Sequence, residues 1–298
     1  VTAPAVPPAE YLDKHTILGD IRESVVDLLA HRELLAQLTL RDIKLRYKQA
    51  VMGFAWAILM PLLVILAGLV IRLAMAHLSG EPLASRGLAG VAVKALPWSF
   101  FVGAVGFASN SLISNQSLVS KVFFPREVLP LSAVLAQGFD TLVGTLGLLV
   151  ALPFLGATLS LALLWVIPLA ILLAVFTTAV CLFVACSNLF YRDVKYIVQV
   201  LLTFGIFFTP VLFEAGMLGP KAGALIMLNP LAPILEGLRL AVVEGHNLLV
   251  PLAAATGPES GNLWSPWYLV WSAVAGLLGL TLVISMFRRL SFLFAEFV

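Results

Sequence analysis

Residues 141–191 form a run of 51 residues without a single Asp, Glu, Lys or Arg. A helix needs about 20 apolar residues to cross roughly 30 Å of hydrocarbon, so this run is too long for one crossing. With residues 128–139 ahead of Asp140 it allows two, turning between Pro153 and Ser160, where Gly156 supplies the break. Further uncharged runs cover 50–71 (22 residues), 95–120 (26), 196–213 (18) and 260–287 (28). Together they predict an all-α integral membrane fold with six transmembrane helices, at about 50–76, 95–118, 128–154, 160–189, 196–213 and 265–287. Composition agrees: 61% of the chain is hydrophobic and only 11% charged, against about 25% charged in soluble domains. An ordinary soluble globule, a disordered protein and a nucleic-acid binder are thereby excluded. Of the 34 charges, 14 fall within residues 1–50, which form a polar arm.

The arm opens on a Pro- and Ala-rich stretch with no apolar core behind a basic start, so it does not resemble a signal peptide. Residues 1–20 are expected to be a flexible cytosolic tail. In 21–48, Ile21, Val25, Leu28, Leu35 and Leu38 recur at helical spacing, and Arg41, Lys44 and Lys48 make a basic stripe. That pattern suits an amphipathic helix in the cytoplasmic interface, its cations toward anionic membrane lipids; a solvated juxtamembrane helix is the alternative. Residues 214–245 are apolar but interrupted by Gly216, Gly219, Pro220, Pro230 and Pro233, and their longest uncharged run is 14 residues. Fourteen fits a re-entrant element better than a crossing. Two short helices, about 220–228 and 231–244, are expected to dip back from the outer face between spans five and six. Asn229, Pro230 and Arg239 would form an outer gate there; helices lying flat on the surface are the alternative. With the N-terminus inside, cytoplasmic segments hold 13 Lys/Arg and outer segments 4, which places both termini in the cytosol, with 289–298 as a second cytosolic tail.

No phosphate loop, zinc-protease motif or nucleophile elbow occurs. Cys181 and Cys186 would lie roughly 7.5 Å apart along a helix axis and read as packing residues. The four histidines show no ligand spacing. No catalytic residue, metal site or cofactor is expected on this chain, and no enzymatic activity. Asp140 is the one carboxylate clearly inside a span, and it must face protein, a partner or a water-filled path. Trp56, Trp98, Trp264, Trp267 and Trp271 fit interface anchors, and the pairs Gly103/Gly106 and Gly276/Gly279 would permit close helix contact between copies.

Four segments carry a resemblance: LTLRDIKLRYKQAVMGFAWAILMPLL (38–63), NQSLVSKVFFPREVLP (115–130), NPLAPILEGLR (229–239) and FRRLSFLFAEFV (287–298). In this order they resemble the permease subunits of bacterial ABC exporters for cell-surface polysaccharides, the O-antigen, capsule and teichoic-acid type. The resemblance implies a homodimer in the inner membrane, driven by two copies of an ATP-binding-cassette subunit that holds the ATP and Mg. It implies a lipid-linked polysaccharide moved from the cytosolic to the outer side. Sugar rings present apolar C–H faces, so Phe100, Phe101 and Phe107 on span two and Phe204, Phe207 and Phe208 on span five are candidate pathway residues with Asp140. Lys121, Val122, Phe123, Phe124, Pro125, Arg126 and Glu127 form the cytosolic loop best suited to ATPase coupling, where the phenylalanines would be poor residues to leave in water. Export of a drug or another lipid stays open. An ion-coupled secondary transporter fits less well, because such folds pair broken helices in both halves and one broken element occurs here.

Overall fold

The apolar runs fold as helices because a backbone within hydrocarbon must satisfy its own hydrogen bonds. The computed structural model describes residues 17–48, 55–79, 85–122, 124–155, 160–253, 262–291 and 294. It is nearly all helical: α1 (Ile17–Ala30), α2 (Arg32–Tyr47), α3 (Ala55–Ser79), α4 (Ser85–Ser109), α5 (Ser111–Ser114), α6 (Gln116–Lys121), α7 (Val128–Ala151), α8 (Val166–Phe190), α9 (Val194–Phe208), α10 (Gly219–Ile226), α11 (Leu231–Val242) and α12 (Pro266–Leu290). Two short strands, β1 (Leu252–Ala253) and β2 (Asn262–Trp264), pair antiparallel. Among the described residues, four helical stretches are long and apolar enough to cross a membrane: Gly87–Ser109, Val128–Ala151, Leu161–Phe190 and Pro266–Leu290. Pro61–Ala74 within α3, and α9, are apolar but shorter.

Helix α4 is the hub, packed against α3, α7, α8, α9 and α11. Its small residues allow this: Val91 fills the space at Gly68 of α3, Gln137 of α7 lies against Gly103, and Arg239 of α11 crosses Gly90. This helix begins ten residues ahead of the uncharged run and takes Lys94 inside. Counting uncharged residues treats every charge as a span end, whereas this lysine is buried with partners. At the other end, α4 stops at Ser109 rather than near 118. The Asn110 and Asn115 positions break the chain into α5 and α6, and Asn115 Nδ2 donates back to Ser111 O at 2.7 Å. Helix α12 lies on α8, with Gly276 and Gly279 against Phe176 and Ala179. That small-residue face is occupied within the chain.

The arm is two helices, interrupted at His31. Helix α1 presents a polar side to the protein. Asp20 and Ser24 are buried, Ser285 Oγ donates to Asp20 at 2.6 Å, and Arg288 to Asp27 at 2.8 Å. Leu18, Val25, Val26 and Leu29 point outward. Helix α2 packs along α7. A core of Leu38, Leu112, Phe124, Leu182, Phe287 and Phe294 joins the arm to the helix ends; we call this the arm end.

At the opposite, far end, the chain after α9 folds back through α10 and α11. Every residue of α11 is buried. Trp98 (5% exposed) and Trp264 (fully buried) belong to the main core rather than to an interface, while Trp267 and Trp271 face outward. The return is tight at one place: a Cβ on Gly223 would meet the carbonyl oxygen of Ala215 at 2.7 Å. Backbone cannot yield as a side chain does, so Gly223→Ala should destabilise the protein by about 1–3 kcal/mol. A lowered melting temperature of the detergent-solubilised protein would register it.

Candidate functional site

The last turn of α2 carries Arg46 and Tyr47 toward α7. Arg46 follows Arg41 by five residues, about 140° round the helix at 3.6 residues per turn. It therefore leaves the basic stripe and faces protein. Arg46 donates to Asp140 at 2.5 Å and to Gln137 Oε1 at 2.8 Å, and its guanidinium lies 3.7 Å from the centroid of the Phe107 ring. The Tyr47 hydroxyl donates to the other oxygen of Asp140. Burial, and then the carboxylate beside it, push the Tyr47 phenol above its ordinary range, so it remains a donor. Asp140 sits 12 residues into α7, about 18 Å along the axis, and Arg46 and Tyr47 are the partners its position demands.

These groups line a cavity of about 590 Å³ between α2, α3, α4 and α7, walled also by Trp98, Ser99 and Thr141. Its chemistry is mixed: aromatic faces from Tyr47, Trp98 and Phe107 stand beside a guanidinium, a carboxylate and an amide. Trp98 also borders a second cleft of about 250 Å³, shared with Phe101, Phe208, Thr209 and Asn229. A third, of about 460 Å³, lies between α4 and α9, with Asn110, Lys195, Gln199 and Thr203 on its walls.

The other expected pathway residues divide. Phe107 is 52% exposed and lines the large cavity. Phe101 packs against Trp98 and Phe176, with ring centroids 5.9 and 6.1 Å away. Phe100 is buried in the core. Phe204, Phe207 and Phe208 all point outward on α9, a helix with no buried residue. In the arm, Arg41 is held by Asp42 at 2.8 Å and Asn115 at 3.0 Å, while Lys44 and Lys48 are exposed.

In the loop 121–127, Lys121 and Val122 face outward, and Phe123 lies outside the described residues. Phe124 is turned into the arm-end core beside Leu38 and Phe287. Pro125 and Arg126 are half-buried, with the Arg126 guanidinium 5.8 Å from the Phe294 ring centroid. Glu127 is 5% exposed, and burial pushes its carboxyl up. The loop is thus pinned by Phe124 and Glu127 and presents Lys121 and Val122.

At the far end, Asn229 Nδ2 donates to Thr209 Oγ1 at 3.0 Å, and its Oδ1 accepts from Leu231 N. Pro230 O accepts from Ser272 at 2.6 Å. These bonds fasten the start of α11 between α9 and α12. Arg239 ion-pairs with Glu236, Glu214 and Glu244. Asp140 and Arg239 stand out in the sequence as charges in apolar surroundings, whereas nothing local in the sequence marks Arg46 and Tyr47 as partners of the first or brings Lys94 to Glu236 beside the second. The only sequence signal was a buried acid without a visible partner, which required a cation from elsewhere. No group of three or more His, Cys, Asp or Glu among the described residues could hold a metal ion.

The sequence pattern of the family described as "ABC-2 type transporter" matches residues 33–243. An O-antigen export system permease protein RfbA of Klebsiella pneumoniae is 30% identical over 214 residues, 72% of this chain and 81% of the relative. A second from the same organism is 31% identical over 215 residues. One from Myxococcus xanthus is 29% identical over 251 residues, 81% of this chain and 92% of the relative.

Proposed function

The chain belongs to the ABC-2 type transporter family, a multi-pass membrane permease homologous to O-antigen export permeases, and from this we propose that it is the membrane subunit of an ATP-driven exporter of a lipid-linked cell-surface polysaccharide. In this reading two copies form one pathway in the inner membrane, and each works with an ATP-binding-cassette subunit that supplies ATP and Mg. The arm end is cytosolic, as the Lys/Arg bias requires. Six segments cross: α3, α4, α7, the stretch Leu161–Phe190 (which contains α8), α9 and α12. Helices α10 and α11 re-enter from outside as a gate. The outward Leu18, Val25, Val26 and Leu29 of α1 suit a helix embedded in the cytosolic interface with its polar side on the protein.

The observation that carries the substrate class is the cavity at Asp140. Aromatic faces pack against the C–H surface of a sugar ring, while carboxylate, guanidinium and amide exchange hydrogen bonds with its hydroxyls. Phe107 is the informative variant because it is half exposed and its loss leaves the core intact. Losing an aromatic contact of about 0.5–1.5 kcal/mol should weaken glycan stimulation of ATP hydrolysis about two- to twelvefold in Phe107→Ala. The test is ATPase activity of the purified permease–ATPase complex with lipid-linked glycans. Stimulation by lipophilic drugs and none by glycans would move the assignment to a different cargo.

A further inference from the structure

Three cations and three carboxylates meet at the far end, drawn from four segments of chain. Arg72 of α3 donates to Glu214 at 2.7 Å. Lys94 of α4 donates to Phe213 O at 2.5 Å and faces Glu236 of α11 at 3.5 Å. Arg239 of α11 reaches Glu236 at 2.6 Å, Glu214 at 3.5 Å and Glu244. Lys94 is fully buried, and the side chains of Glu236 and Arg239 are 4% and 10% exposed. The site is built into α4: a Cβ on Gly87 would fall 1.9 Å from Arg72 Nη1, and one on Gly90 would lie 3.1 Å from Arg239 Cδ. Two glycines are therefore slots for two arginines.

The cluster divides along a seam. On the α3–α4 side stand Arg72 and Lys94; on the return segment 214–245 stand Glu214, Glu236, Glu244 and Arg239. The faces carry formal charges of +2 and −2. Such a network is a weak way to gain stability, since well-packed apolar side chains of similar volume would serve as well or better. What it adds is two distinct favourable states: joined, or parted with each face in water. A partly broken state leaves a charge buried alone and is strongly disfavoured. The seam is incompletely satisfied even when joined, because Arg72 Nε is buried without a hydrogen-bond partner among the described residues.

We propose that Arg72, Lys94, Glu214, Glu236 and Arg239 form a latch that holds the return segment shut against α3 and α4, and that the outer exit opens by parting this seam into water. The inference rests on the reading of 214–245 as an outer gate. Val211, fully buried just ahead of Glu214, is the reporter. Val211→Cys, in a chain whose Cys181 and Cys186 are replaced by Ala, would be labelled with a membrane-impermeant maleimide in sealed vesicles of known orientation. Glu214→Gln keeps an acceptor for Arg72 but removes the charge. It should raise the labelling rate on the order of tenfold, because access through local opening follows the free energy of the contacts broken. Lys94→Glu, which sets a carboxylate against Glu236 and the Phe213 carbonyl, should do the same. Equal rates in the parent and Glu214→Gln proteins, both monodisperse, would overturn the latch. If Lys94→Glu does not fold, the Glu214→Gln comparison decides alone. A cysteine at exposed Ala222 separates the two claims. Labelling there only from the cytosolic side would overturn the gate reading itself, whatever the latch variants do.

Discussion

Asp140→Ala should lower both the stability and the export activity of this permease, and the two losses should be separable. Removing the carboxylate leaves Arg46, 14% exposed, with its hydrogen bond to Gln137 and no carboxylate beside it, and deletes the bond that the Tyr47 hydroxyl donates to Asp140. Breaking a buried pair by deleting one partner costs about 3–5 kcal/mol, largely because the other charge is left uncompensated. The double variant Arg46→Ala, Asp140→Ala removes both charges and should recover most of the melting temperature. If the pair also meets the sugar, the double variant should stay inactive in export although it is folded. Thermal unfolding read beside glycan-stimulated ATP hydrolysis distinguishes the roles. Normal export by Asp140→Asn would show that the charge has no part in transport.

Phe287→Ala should be the most damaging single truncation at the arm end. Phe287 is fully buried, meets Phe294 edge to face at 5.0 Å, and lies in the cluster that holds Phe124 and Leu38. Truncating a buried phenylalanine costs about 3–5 kcal/mol where the neighbours cannot collapse into the cavity. The consequence should exceed stability, because this cluster connects the arm, the loop 121–127 and the C-terminal end of α12. A complex carrying Phe287→Ala should hydrolyse ATP at a basal rate but lose stimulation by substrate. Basal rate and stimulated rate, measured on the same preparation, provide the test.

Much of this architecture was legible in the uncharged runs. Helices α7, α8, α9 and α12 lie over four of the expected stretches, and apart from Asp140 in α7 their charges are confined to the helix ends. The second stretch was displaced for a physical reason: Lys94 is buried with Glu236, and a paired charge inside a bundle looks on paper like a span end. The arm carries a feature that periodicity alone does not show: in α1, Asp20 and Asp27 turn to Ser285 and Arg288, while Leu18, Val25, Val26 and Leu29 face outward. In a membrane setting the apolar face need not be the protein face. The loop 121–127 shows the limit of composition: its two phenylalanines suggested a docking surface, yet Phe124 completes the chain's own core, which depends on distant Leu38 and Phe287. Asp140 was visible as an acid in need of a partner, but Arg46 lies 94 residues away, beyond any local pattern.

The central claim is vectorial, ATP-driven movement of a lipid-linked glycan by this permease with its ATPase. Inside-out vesicles containing both subunits, loaded in the outer leaflet with a radiolabelled lipid-linked glycan, offer the most direct measurement. Addition of Mg-ATP should render the glycan inaccessible to an external glycosidase, and a non-hydrolysable ATP analogue should not. Protection that develops without ATP, or glycan that stays fully accessible while the complex hydrolyses ATP, would contradict the account.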